Sequence, residues 1–319
     1  MRLLVGFAIL VAFVVVVLGA YTRLVDAGLG CPDWPGCYGQ LLVPSTAEEI
    51  ASAEALFPDT PLDQAKAWTE MVHRYFATGL GILVIGIVVL AWYYKLSLRF
   101  PLVLLALVIL QGAFGAWTVT LKLWPQVVVA HLLGGFTTLL LLWWYLLKLS
   151  SIELPRIATK LRTSIYLFIA LLVVQISLGG WVSANYAALI CPDFPLCHGT
   201  LLPEMDLVAG LNIFQAIGPD YTGGEMSHEG RVAIQNLHRW GAYIVFVIGV
   251  ILAWRIRGAS GLVLGAVVCA QVALGISNVL FVLPLPIAVT HNAGAALLLL
   301  VAATLALQTQ PPRKEQSEQ

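Results

Sequence analysis

Cys31-Pro32-Asp33-Trp34-Pro35-Gly36-Cys37 returns in the same chain as Cys191-Pro192-Asp193-Phe194-Pro195-Leu196-Cys197, an offset of 160 residues. The repeat extends to other residues with chemical potential: His73-Arg74 returns as His238-Arg239, Gln111 and Gly115 as Gln271 and Gly275, and His131 as His291. The copies differ at one informative position, because Glu70 precedes His73 where Gln235 precedes His238. A duplicated scaffold with one altered acid predicts two similar pockets that do different work.

The composition excludes a soluble domain. Hydrophobic residues make up 60% of the chain and charged residues 11%, with a mean hydropathy of +0.89, values typical of integral membrane proteins. Eight apolar runs are long enough to cross a bilayer as helices, and they lack the alternation of barrel strands. The predicted spans lie near 3–22, 72–94, 101–121, 127–147, 163–184, 237–254, 260–282 and 286–307.

The distribution of charge predicts the orientation. The first run lacks a small-x-small cleavage site, and its repeat partner is internal, so we interpret it as a retained span. With the N-terminus inside, the inner segments hold eleven Lys and Arg and three acids, at 153, 315 and 318. The outer segments hold six Lys and Arg and fourteen Asp and Glu. The positive-inside rule then places both termini in the cytoplasm. Net charge is zero, and nothing in the chain resembles a nucleic-acid-binding module.

The chain divides into two halves, 1–150 and 151–319, joined by a charged linker near 148–162. Each half has four spans and one long outer loop, at 23–71 and 185–236, with short amphipathic surface helices expected near 48–57 and 64–72. Four spans per half make the repeat parallel. We therefore expect an all-α membrane protein of two tandem, pseudo-symmetric four-helix bundles, followed by a disordered tail at 309–319.

Four histidines lie in the predicted spans, where ionisable residues mark functional sites by default. Taken singly, each could be an ordinary packed or hydrogen-bonding side chain. Taken as two repeat-related pairs, His73 with His131 and His238 with His291, they fit ligands that approach one iron from opposite sides, as in haem proteins. Two histidines without a Cys or Glu nearby are too few for a closed zinc site, an argument that Glu70 weakens for the first pair only. The remaining two, His198 and His228, are expected to be ordinary loop residues.

The arginines and cysteines leave alternatives open. Arg74 and Arg239 follow a histidine and could bind haem propionates, or they could be arginines that extend to the membrane interface. Arg23, whose repeat counterpart is Ser183, could contact a ligand only in the first half. The spacing predicts the disulfides Cys31–Cys37 and Cys191–Cys197, either structural or redox-active. Cys269 is expected to be a buried small apolar residue.

Together, the eight spans, the paired histidines, the C-x5-C loops and Glu70 three residues before His73 resemble the haem A synthase family, over essentially the whole chain. The resemblance implies oxidation of the C8 methyl group of haem O to a formyl group, giving haem A for terminal oxidases. It implies that His73 and His131 flank the substrate haem in the first half. From their positions in the chain, we expect Arg74 and Arg23 to contact that haem. It further implies that His238 and His291 ligate a permanent haem b, that Glu70 is the catalytic acid, and that Cys31–Cys37 is the first-loop disulfide.

The same residues are compatible with three other functions. A dihaem b-type cytochrome in quinol electron transfer would hold two permanent haems, a quinone-coupled thiol–disulfide oxidoreductase would depend on the cysteines, and a haem carrier would leave the methyl group unaltered. Besides haem O and the lipid bilayer, we expect an electron donor of unknown identity and haem O synthase as partners. Because the chain starts with its first span and has no mitochondrial presequence, the expected location is a bacterial cytoplasmic membrane.

Overall fold

The computed structural model describes residues 1–150 and 154–309, and within them the fold is helical. Eight long helices are α1 (Arg2–Leu24), α3 (Gln64–Tyr93), α4 (Arg99–Thr120), α5 (Pro125–Leu149), α6 (Arg162–Ala184), α8 (His228–Ile256), α9 (Gly258–Leu280) and α10 (Leu285–Gln308). Two short helices, α2 (Ala47–Leu56) and α7 (Leu207–Gly210), lie in the long loops. The eight long helices are long and apolar enough to cross a membrane, so the predicted all-helical class and number of spans are confirmed.

Two spans begin earlier than predicted. The prediction of a separate surface helix at 64–72 is wrong, because α3 runs unbroken from Gln64. The Asp63 side chain caps this helix by accepting the N–H of Lys66 at 3.1 Å, and no Pro or Gly follows before residue 73. Ser227 caps α8 in the same way, as N-cap residues do. His73 and His238 therefore lie nine and ten residues inside their helices. The surface helix expected near 48–57 is confirmed as α2.

The long helices pack in two rings of four. In the first half α1 contacts α3 and α5, and α4 closes the ring between them; in the second half α6 contacts α8 and α10, and α9 closes that ring. The halves meet where α1 packs on α10 and α5 packs on both α6 and α10. Close packing supplies much of the attraction between membrane helices. At Gly249 of α8, for example, a β-carbon would come within 2.9 Å of Val268 on α9.

The second long loop reaches across to the first half. The indole Nε1 of Trp124 donates to the main-chain oxygen of Gln215 at 3.0 Å, and Gln126 Nε2 donates to that of Ile213 at 2.9 Å. The main-chain N–H of Tyr221 donates to Lys122 at 3.1 Å. These bonds place the loop over the turn that precedes α5, the helix that carries His131.

Some predictions concern residues outside the described ranges. Residues 151–153 of the linker and 310–319 of the tail lie there, together with the acids and bases that were counted in them. The division into halves at residue 150, the pseudo-symmetry and the orientation of the termini stay predictions.

Candidate functional site

The first histidine pair lies between two helices of the first half. His73 on α3 and His131 on α5 have ring centroids 6.4 Å apart and ring planes at 88° to each other. A bond of about 2 Å from a metal to one nitrogen of each imidazole puts the two centroids roughly 6 Å apart. The observed spacing therefore fits one iron atom that both histidines would ligate.

All four histidine rings rest on a glycine of the neighbouring helix. A β-carbon at these glycines would lie between 3.0 and 3.7 Å from the ring atom Cε1. The pairs are Gly19 with His73, Gly115 with His131, Gly179 with His238, and Gly275 with His291. Protein interiors are close-packed. A larger residue at Gly19, Gly179 or Gly275, where the contact is tightest, would therefore displace the histidine ring.

Three of these rings have an unsatisfied nitrogen. The Nδ1 atoms of His73, His131 and His291 are buried and have no hydrogen-bond partner among the residues that the structure describes. A buried polar atom without a partner costs free energy. A bound group that ligates or hydrogen-bonds these rings would satisfy them. Together with the ring spacing, this fits a haem at the first pair, and at the second pair His291 offers one such nitrogen.

The second histidine pair carries additional polar contacts. The amide Nε2 of Gln175, on α6, donates to the main-chain oxygen of His238 at 2.8 Å and lies 3.0 Å from its ring Nδ1. The amide Nε2 of Gln271, on α9, donates to the main-chain oxygen of His291 at 2.9 Å. Both histidines of the second half are thus tied to a neighbouring helix by a glutamine.

Both predicted disulfides are present, Cys31–Cys37 and Cys191–Cys197. All four cysteines are at most 1% exposed. Each loop is also closed by an aspartate: Asp33 accepts the N–H groups of residues 38 and 39, and Asp193 those of residues 198 and 199. The N–H groups of residues 199 and 198 hold the pKa of Asp193 below its ordinary value. The loops are therefore compact, self-bonded units.

The two arginines after the histidines fasten these loops to the helices. Both guanidinium groups donate to main-chain oxygens at distances between 2.6 and 3.1 Å. The acceptors are Asp33 and Gly36 for Arg74, and Cys191, Asp193 and Leu196 for Arg239. Propionate binding by Arg74 stays a prediction. In this structure the N–H groups of Arg74 donate to main-chain carbonyl oxygens of the loop.

Glu70 is where the halves differ chemically. The residue is buried, 4% exposed, and its carboxylate pairs with the Arg74 guanidinium, while Oε2 accepts the N–H of Cys31 at 3.0 Å. At the corresponding place, Gln235 donates to the main-chain oxygen of Ala188 at 3.2 Å. Among the described residues, no carboxylate lies within ion-pair distance of Arg239. Only the first half therefore holds an acid one helical turn from its histidine.

Arg23 lies at the contact between the halves. Its Nη2 donates to the main-chain oxygen of Ser183 at 2.6 Å, and its guanidinium carbon lies 4.0 Å from the ring centroid of Tyr186. The Tyr186 hydroxyl donates to Asp26 at 2.7 Å. Ser183 and Tyr186 are the repeat counterparts of Arg23 and Asp26, so equivalent helix ends contact each other. Its predicted role at the substrate remains untested.

The other candidates lie away from the pairs. His198 is in the second long loop and His228 is the first residue of α8; both are exposed, with ring centroids 5.8 Å apart. Cys269 is exposed on α9, so the expectation of a buried residue is wrong. Sequence reasoning missed Gln175, although the pattern Gln-x3-Gly, which it shares with Gln111 and Gln271, was a signal that could have found it.

Comparisons with known proteins agree over the length of the chain. The COX15-CtaA family, described as cytochrome oxidase assembly protein, matches residues 2–303. The haem A synthase of Shewanella oneidensis is 42% identical over 308 residues, which cover 91% of each chain. That of Maricaulis maris is 30% identical over 312 residues, covering 89% of this chain and 88% of its own.

Proposed function

Because this chain belongs to the COX15-CtaA family and is a haem A synthase, a multi-pass membrane oxidoreductase, we propose that its two histidine pairs divide the work. The first half, 1–150, binds haem O as substrate between His73 and His131. The second half, 151–319, holds a permanent haem b between His238 and His291. The observation that carries this division is the buried acid Glu70, which stands beside the first pair and is replaced by Gln235 beside the second.

The residues of the first site bind and orient the substrate. His73 and His131 come from different helices and face one another at a spacing that fits one iron atom. The ring of His73 packs tightly on Gly19, which restricts its tilt, and the ring of His131 contacts Gly115 at an ordinary van der Waals distance. Ligation from both sides would fix the haem plane, and with it the position of the methyl group to be oxidised.

The second site supplies redox chemistry that side chains lack, since bound haem carries it. His238 and His291 have no acid one turn away, and glutamine amides hold both. An uncharged, fixed ligand set suits a haem that stays bound and exchanges electrons. A redox partner of unknown identity must complete the electron path.

Glu70 handles protons for the first site. It lies three residues before His73 on α3, so the two share a helix face. Its Oε2 accepts one hydrogen bond, from Cys31, and a carboxylate oxygen can accept a second. When water supplies the oxygen, oxidation of a methyl to a formyl group releases protons together with electrons, and the electrons leave to the redox partner. Oε2 is the acceptor that we propose for one of these protons. Gln235 cannot take this role.

The disulfides support the synthase over the thiol–disulfide oxidoreductase. Exchange requires an accessible sulfur that a thiolate can attack. The sulfur atoms belong to four cysteines that are essentially fully buried, under loops fastened by arginine. We therefore propose that both disulfides are structural. A dihaem cytochrome would not explain why an acid lies beside only one of the two histidine pairs.

The proposed setting follows from charge and composition. We propose that both termini face the cytoplasm of a bacterial cell, which places the two disulfide loops on the outer side, where disulfides persist. The apolar outer faces of the long helices contact lipid, and the apolar tail of haem O can extend between them. Haem O synthase is the enzyme that would deliver this substrate.

The repeat offers a matched test of the division. His131→Ala and His291→Ala change equivalent residues, each six positions into its helix. Purified His131→Ala protein should keep haem b, while haem O accumulates in cells that depend on it for haem A. Purified His291→Ala protein should lose haem b, measured as the pyridine haemochrome. Loss of haem b from the first variant and its retention by the second would reverse the assignment.

A further inference from the structure

Three of the four histidines face the same small arrangement on a neighbouring helix. A glutamine stands four residues before the glycine on which the ring rests, and it packs on a second glycine three residues after the histidine. The glutamine and its second glycine are Gln111 with Gly134, Gln175 with Gly241, and Gln271 with Gly294. A β-carbon at any of these second glycines would collide with the glutamine side chain.

In the second half this arrangement makes hydrogen bonds. Gln175 Nε2 donates to the main-chain oxygen of His238 at 2.8 Å, and Gln271 Nε2 donates to that of His291 at 2.9 Å. Each amide also lies near the ring, 3.0 Å from Nδ1 of His238 and 3.5 Å from Nε2 of His291. Because the missing side chain at Gly241 and Gly294 exposes the helix backbone, the amide can reach a carbonyl that is already part of the helix.

In the first half these bonds are absent from the described structure. Gln111 also packs on Gly134, but its amide has the opposite orientation: Nε2 faces the glycine, where Gln175 and Gln271 present Oε1, and this Nε2 has no hydrogen-bond partner. At His73 both components are replaced: Val15 stands four residues before Gly19, and Phe76 stands three residues after the histidine. Valine has no side-chain donor, and the β-carbon of phenylalanine occupies the space that a glycine would leave open.

We propose that Gln175 and Gln271 are positioning residues that retain the haem of the second half, and that their lack beside His73 keeps the first site exchangeable. The inference rests on the proposed division of the two sites. The product haem has to leave the first site after every turnover, so at least one of its ligands must dissociate from the iron. A permanent cofactor, in contrast, needs both ligands to stay bound. Groups that orient a metal ligand commonly change metal affinity 10–100-fold.

The test replaces the glutamines by the residue found opposite His73. Gln175→Val and Gln271→Val proteins, purified with haem b, are mixed with excess apomyoglobin as a scavenger, and haem transfer is followed by absorbance. We expect haem release about 10–100-fold faster than from the unaltered protein, with altered g-values of the low-spin ferric haem in electron paramagnetic resonance. Gln111→Val is the control, since it makes the same change beside His131 in the other half, and it should leave release of haem b unchanged.

A second variant separates loss of the amide from loss of packing. Gln175→Met keeps the length of the side chain and removes the donor, so it should also release haem b faster, with the fold intact by circular dichroism. The reciprocal variant, Val15→Gln with Phe76→Gly, rebuilds the arrangement beside His73 and should slow the release of added haem O about 10-fold or more.

The outcomes distinguish this inference from the division on which it rests. If His291→Ala protein loses haem b but the Gln175→Met, Gln175→Val and Gln271→Val proteins release it at the normal rate with unchanged g-values, the positioning role is refuted and the division stands. If His291→Ala protein keeps haem b, the division itself fails. Equal acceleration by Gln111→Val would also overturn the inference, because a site in the other half cannot act through these hydrogen bonds.

Discussion

Replacing Glu70 by Gln makes the first site imitate the second, where Gln235 occupies the corresponding position. The change keeps the size of the side chain and an oxygen that can still accept the N–H of Cys31. It removes the charge that pairs with Arg74 and the ability to bind a proton. If Glu70 handles protons during the oxidation, haem A formation should fall by about 10²–10⁴-fold, the usual contribution of a general acid or base.

The effect on stability should be smaller than the effect on activity. Removing one partner of a buried ion pair costs about 3–5 kcal/mol, because the other charge stays buried. Arg74 retains loop carbonyls as acceptors, and Arg239 is held by carbonyls alone in the other half. We therefore expect a cost near the lower end, about 3 kcal/mol. Such a loss cannot account for a 10²–10⁴-fold fall in turnover per molecule of protein that is folded and loaded with haem b.

The assay measures both quantities on the same preparation. Haems extracted from cells that depend on the variant are separated by chromatography, and haem b in the purified protein is measured as the pyridine haemochrome. Haem O or a partly oxidised intermediate should accumulate while haem b content stays normal. Glu49→Gln is the matched control: it makes the same substitution at an exposed residue of the capping box of α2, where Gln can replace Glu, and it should leave haem A formation unchanged. Normal haem A synthesis by the Glu70→Gln protein would refute the reasoning and leave Glu70 as a structural fastening of the loop.

Two further predictions concern residues whose roles the sequence left open. The double variant Cys31→Ser with Cys37→Ser should lose about 2 kcal/mol of stability, as expected for a short closed loop, and still make haem A in extracted pigments; abolished synthesis in a folded, haem b-loaded protein would instead indicate a redox role. Arg23→Gln should lower the apparent melting temperature of the purified protein, because it breaks the hydrogen bond to Ser183 between the halves, and should leave haem O binding near normal. A selective loss of haem O binding would instead indicate that Arg23 contacts the substrate.

Much of the site could be predicted because its signals are local or repeated. Span length follows from runs of apolar residues, and a C-x5-C spacing on a loop limits each cysteine to a near partner. The histidine pairs were suggested by their recurrence at an offset near 160 residues. The start of α3 was predicted wrongly because hydropathy marks the membrane-embedded part of a helix and not its polar extension, which the Asp63 cap stabilises.

The sequence by itself determined the eight helices, the two disulfides and the residues able to ligate iron, since these depend on composition and short spacings. Only the tertiary structure showed which protein groups the polar side chains contact. An arginine after a histidine can bind a propionate, extend to the interface or hold a loop, and the three cases have the same local sequence; the fold brings the carbonyl groups of a loop about 40 residues away in the chain to Arg74. Likewise, Gln175 reaches His238, 63 residues further along the chain, only because α6 packs against α8 with glycines at the contact. Contacts of this kind depend on which helix faces join, and no residue pattern within a single helix specifies that.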